Sequence, residues 1–152
     1  MRQNLRGKPV MPSHNYLCFD FGLKRIGSAV GNDLIQNARE LKPIKARDGI
    51  PNWEDIESLI SEWKPKNVIV GLPLNMDGTE SDLSTRARKF GKRIHGRFNI
   101  EVQMQDERLS SFEAKGMVLE QKGHVNFGDH SVDGLAACLI LESWFATRAT
   151  DD

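Results

Sequence analysis

The sequence predicts an α/β protein, a mixed five-stranded sheet covered by helices on both faces. Three observations predict it. Three extended pieces come first, between residues 16 and 46, and helices and strands alternate after them. The segment NVIVGLP (67–73) is short, β-branched and apolar, the pattern of a strand buried on both faces. Between the later strands, apolar residues recur at helical rather than alternating spacing.

The first strand, 16–21, holds the apolar run Tyr16, Leu17, Cys18 and Phe19 and meets an acid at Asp20. Gly22 and the cations Lys24 and Arg25 follow, and a second strand at 25–31 makes a tight antiparallel pair. A third extended piece, RELKPIKA (39–46), contains Pro43, which confines it to an edge or an irregular strand. Asn52 is an N-cap for WEDIESLISEW, where Trp53, Ile56, Leu59, Ile60 and Trp63 form one stripe and Pro65 ends the helix. After the strand at 67–73, the turn signal Asp77-Gly78 leads into a long polar helix at 81–97, and IEVQMQ (100–105) alternates as a strand. Ser110 with Glu113 forms a capping box opening a helix to 122, and GHVNFGDH precedes a last helix at 131–147. Two strand–helix–strand crossovers bring the ends of the first, fourth and fifth strands together, where ligands of such sheets gather.

At 152 residues the chain fits one domain, read here as 15–148 between a leader (1–14) and a short tail (149–152). The formal net charge is zero, which excludes a global field toward nucleic acid and makes any such attraction local. Cys18 and Cys138 lack metal-ligand spacing and read as buried free thiols of a reducing compartment. No run approaches the roughly 20 apolar residues of a membrane span, and the first residues have no apolar signal-peptide core, so a cytoplasmic protein without a membrane partner is expected.

Three acids stand at suggestive places. Asp20 ends the first strand, Glu107 sits just past the fifth, and Asp133 lies in the first turn of the last helix. Asp133 shares a helical stripe with Ala136, Ala137, Ile140 and Leu141, so it belongs to the face turned toward the sheet. Carboxylates gathered this way repel one another, and a divalent cation such as magnesium or manganese is the usual remedy. Two such ions can clamp the attacking and leaving oxygens of a phosphodiester. Each acid also has a plainer explanation. Asp20 could start a turn, Glu107 could pair with Arg108 or Lys115, and Asp133 could complement the helix dipole. Asp106 is the alternative ligand beside Glu107.

Arg86, Arg88, Lys89, Lys92, Arg93 and Arg97 follow one another with no acid among them, and 86, 89, 93 and 97 share a helix face. A solvated face is the ordinary reading. Without interleaved Glu the usual stabilising pairs are absent, which favours a surface for phosphates. Lys24, Arg25, Arg86, Lys89, Arg93 and Arg108 are the candidate nucleic-acid contacts. GLPLNMDG (71–78) lacks the Gly-Lys-Ser/Thr ending of a P-loop. His124 and His130 flank the loop before Asp133 and are candidates for moving protons.

Taken together, Asp20-Phe-Gly with Gly27 and Gly31, Gly71-Leu-Pro73 with Asp77-Gly78, Asp106-Glu107-Arg108, and Asp133-x-x-Ala136-Ala137 resemble the YqgF family, also called RuvX. The resemblance spans residues 16–146. It implies an RNase H-like fold and a metal-dependent nuclease that processes the 5′ end of the small-subunit (16S) ribosomal RNA precursor or cleaves branched DNA. Carried over, Asp20, Glu107 and Asp133 are the catalytic and metal-binding acids. Ser110 and Ser111 stand where members often carry a threonine, and the strand at 67–73 has no acid, unlike junction resolvases of this fold.

Two readings from other classes compete. DFGLKRIGSAVG also resembles the phosphate-binding hairpin of sugar kinases and actin-like ATPases, but those enzymes need two domains, for which 152 residues leave little room. A non-catalytic RNA-binding factor of ribosome assembly is the other. A monomer or a homodimer is compatible with the chain, and a resolvase would need two active sites.

Overall fold

The structure, a computed structural model, describes residues 13–109 and 132–151. Strand β1 (Asn15–Asp20) pairs antiparallel with β2 (Arg25–Asn32), in a register that sets Asp20 opposite Gly27. On its other side β1 runs parallel to β6 (Asn67–Leu72), and β6 runs parallel to β7 (Glu101–Asp106). The sheet order is β5-β4-β2-β1-β6-β7, with β3 also paired to β2.

The expected third piece is two strands, β3 (Ala38–Glu40) and β4 (Ile44–Arg47), and a two-residue β5 (Ile50–Pro51) follows, so the sheet has seven strands rather than five. Pro43 explains the break, because it cannot donate to a ladder. Helices α1 (Trp53–Trp63), α2 (Asp82–Phe98) and α3 (Val132–Asp151) complete the described elements. The helix expected at 110–122 lies outside the described residues.

Local chemistry sets the boundaries. The Asn52 side chain caps α1 by accepting from the Glu54 amide, and Lys64, left-handed at φ 46°, ends it before Pro65. All six residues of β6 are buried, as an apolar central strand requires. Alternation divides β1 between two cores. Leu17, Phe19 and Phe21 pack with Ile56 of α1 and Ala87, Phe90 and Ile94 of α2. Tyr16 and Cys18 face Ile140, Leu141, Trp144 and Phe145 of α3.

The direction of α3 follows from its contacts. Trp144 and Phe145 pack on Tyr16 at the start of β1, with ring centroids 4.8 and 5.7 Å away. Ala137 and Cys138 pack near Ala29, further along the hairpin. The helix therefore runs antiparallel to β1, and its N-terminal turn lies toward the carboxyl ends of β1 and β6.

Candidate active site and nucleic-acid surface

Asp20, half-buried, closes β1. Phe19 is in register with Val70 of β6, so Asp20 stands beside Gly71. Two residues after Cys18, it belongs to the side of the sheet that carries α3. A β-carbon at Gly71 would lie 2.7 Å from Glu107 Oε1 and 2.7 Å from Ile140 Cδ1. The Glu107 carboxylate thus reaches over β6 because residue 71 has no side chain. Burial first, then the charges of Asp20, Cys138 and Glu107, push the Cys18 thiol well above its ordinary range. One buried group thus feels both acids, in keeping with their places at the carboxyl ends of β1 and β7.

Asp106 is engaged differently. Its carboxylate accepts from Arg108 Nε at 3.1 Å and Nη2 at 2.7 Å, and from the Arg108 amide at 2.9 Å. These bonds from Arg108 hold its pKa below the usual carboxylate range. Arg108 Nη1 also donates to the Met76 carbonyl at 3.2 Å, so it fastens the 73–80 loop to the end of β7. Within that loop, Asp77 accepts from the Thr79 amide and hydroxyl, and Gly78 turns at φ 90°. Of the two neighbouring acids, Asp106 serves the loop and Glu107 faces Asp20's side of the rim.

Asp133 lies in the first turn of α3, four residues before buried Ala137, and its side chain is outside the described part of the structure. His124, His130, Ser110 and Ser111 are outside it as well. Among the described residues, no group of three metal-ligating side chains assembles. Sequence reasoning passed over Gln105. It pairs in register with Gly71, is 6% exposed, and its Nε2 finds no partner among the described residues. The available signal was the alternation of IEVQMQ, which puts Gln103 and Gln105 on one face of an apolar strand.

The hairpin explains Gly22 without a ligand, since a β-carbon there would collide with the Arg25 carbonyl. Lys24 and Arg25 are exposed at that turn. On α2, Arg86, Lys89 and Arg93 line a cleft with Phe21, Asp48, Gly49, Ile50 and Phe90, on the side of the sheet opposite α3. Arg97, expected on the same face, lies over the Trp53 ring at 4.2 Å. The acids missing from the helix come from outside it: Asp48 meets Arg86 at 3.2 Å and Glu80 meets Arg88 at 2.8 Å. Acids and cations therefore occupy opposite faces of one sheet, joined at the carboxyl rim by β1, where Phe21 follows Asp20.

Comparison with known proteins agrees with this frame. The family model described as "RuvX: Holliday junction resolvase" matches residues 14–147. A protein of Hahella chejuensis named "Putative pre-16S rRNA nuclease" is 57% identical over 131 residues, 86% of this chain and 83% of that one. One of the same name from Pasteurella multocida is 54% identical, covering 87% of this chain and 94% of its own. Among solved structures, Thermus thermophilus RuvC in complex with a Holliday junction substrate has a TM-score of 0.60 at 15% identity, covering 89% of this chain and 96% of that one. A likeness that distant speaks for the fold alone, that of the RNase H-like resolvases. With nearly its whole length matched, the chain belongs to the RuvX family.

Proposed function

We propose that this protein is a divalent-metal-dependent phosphodiesterase that trims the 5′ end of precursor 16S ribosomal RNA. The observation that carries the proposal is the placement of Asp20 and Glu107 at the carboxyl ends of β1 and β7, the strands flanking β6, where Gly71 leaves room for the Glu107 carboxylate. Carboxylates gathered at one rim repel one another, and their oxygens suit magnesium or manganese. Asp20 and Glu107, with Asp133 from the first turn of α3, would hold the ion. A bound divalent ion supplies Lewis-acid stabilisation of charge on the phosphoryl oxygens and makes water more acidic. The chain itself orients the acids, through Gly71 and the hairpin, and offers cations for flanking phosphates at Lys24, Arg25, Arg86, Lys89, Arg93 and Arg108. The relatives' name supports RNA as the substrate. The family description supports a second reading, cleavage of a four-way DNA junction.

The test incubates full-length protein and Asp20→Asn with magnesium or manganese and labelled 16S precursor RNA or a four-way junction. Cleavage of the precursor, reduced on the order of 100-fold or more by the substitution, is expected. Cleavage confined to the junction selects the second reading. Full cellular function in Asp20→Asn, Glu107→Gln and Asp133→Asn variants would show a non-catalytic assembly factor instead.

A further inference from the structure

We infer that the cleft between α2 and the β4–β5 turn, with its apolar rim, holds an unpaired nucleotide of the substrate strand. Arg86, Lys89 and Arg93 face its phosphate, and Leu23, Ile50 and Leu83 face its base and sugar. The inference rests on the nuclease reading and names the form of nucleic acid that the site takes.

The first support is charge. Three cations meet one carboxylate, Asp48, and the Arg86–Asp48 pair is exposed on both sides (43% and 73%), so its attraction is weak and a phosphate competes for Arg86. No ion pair among the described residues involves Lys89 or Arg93. The cleft has a volume of about 140 Å³ and opens onto the apolar rim.

The second support is the rim itself. Leu23, Ile50 and Leu83 are exposed by 41%, 53% and 37%, three of the six large apolar side chains that stay in water among the described residues. They stand at neighbouring turns and the start of α2. The Gly49 amide donates to the Leu23 carbonyl at 2.9 Å, which sets the β4–β5 turn against the β1–β2 turn. Leu23 and Leu83 line a depression with Arg86, Thr85 and Asp82, and Arg86 also lines the cleft that Ile50 borders. Clustered apolar exposure marks a binding surface. A duplex presents its charged backbone and keeps base faces stacked inside, so it gains little from leucine and isoleucine. An unpaired strand offers phosphates and base faces together, the combination this surface matches.

The third support is position. Leu23 is three residues beyond Asp20, at most roughly 11 Å of chain. A strand crossing the rim at Asp20 and Glu107 continues over Leu23 into the cleft on the far face.

Fluorescence anisotropy tests this with full-length protein in chelator, where binding is separate from cleavage. The probes are RNA and DNA single strands of about 12 nucleotides and the matched duplex. Leu23→Ser with Ile50→Ser is expected to weaken both single strands about three- to tenfold and to leave the duplex and the salt dependence unchanged. Arg93→Ala is expected to weaken single strands and duplex alike and to lower the salt slope by about 1. Unchanged single-strand binding by the serine variant, or an equal loss on the duplex, overturns the inference. So does sedimentation showing a wild-type dimer that the serine variant abolishes, since the rim would then be an interface between copies. Wild-type cleavage in magnesium is measured in parallel: cleavage with an unaltered serine variant defeats only this subsite. Binding as expected without cleavage defeats only the nuclease reading.

Discussion

Gly71 carries the geometry of the rim at the residue scale. Gly71→Ala places a methyl 2.7 Å from both Glu107 Oε1 and Ile140 Cδ1, so the carboxylate, the helix side chain or both must move. We expect a stability loss of about 1–3 kcal/mol, as overpacked sites show. On the proposed metal-binding role of Glu107, a cleavage rate at least roughly tenfold lower is also expected, since disturbing what orients a ligand costs about 10–100-fold. Denaturant titration and single-turnover cleavage measure the two; lost stability with full activity would mean that Glu107's position does not matter. Asp20 was legible in the sequence, since an acid closing an apolar strand needs an explanation. The division of labour between Asp106 and Glu107 was not. It depends on Arg108 folding back onto Asp106 and on what lies across β6, neither of which neighbouring letters encode.

At the scale of elements, the start of α2 couples a helix end to the rim. Ser81 accepts from the Ser84 amide at 2.9 Å while Ser84 Oγ accepts from the Ser81 amide at 2.7 Å. The Ser81 hydroxyl also donates to the Pro73 carbonyl at 2.7 Å, anchoring the loop that leaves β6. Ser81→Ala should cost about 1–2 kcal/mol, within the range for lost N-caps. It should also quicken amide exchange in the 73–80 loop, read by hydrogen exchange; an unchanged unfolding midpoint would count against the cap. The periodicity of α2 showed which residues share its face. It did not show that Arg97 lies on Trp53 while Arg86, Lys89 and Arg93 border a cleft, because those partners belong to α1 and to the hairpin. Pro43 marked 39–46 as a single edge or irregular strand; that it instead separates two strands depended on what β2 could pair with on each side of it.

Across the whole molecule, β1 and β6 are central and have packed cores on both faces, whereas β3 and β5 are short and peripheral. Local opening should therefore expose β3 and β5 amides, and those of β1 and β6 should exchange only with global unfolding. Hydrogen exchange across a denaturant series checks this; protection in β5 equal to that in β6 would show a single cooperative unit. The same centrality organises function. β1 leads Asp20 to the α3 face and Phe21 to the α2 face, so one strand end serves the acids and the cleft together.

Residue order alone determined the α/β class and the central strands, and it singled out Asp20, Glu107 and Asp133 as candidates, because period, capping and turn chemistry act within a few residues. Tertiary structure decided which acid pairs with an arginine, which cations remain beside a cleft, and that acids and cations lie on opposite faces. Those outcomes depend on close approach between segments distant in the chain, such as Glu107 over Gly71 and the β4–β5 turn against Leu23, and short-range patterns carry no record of such distances.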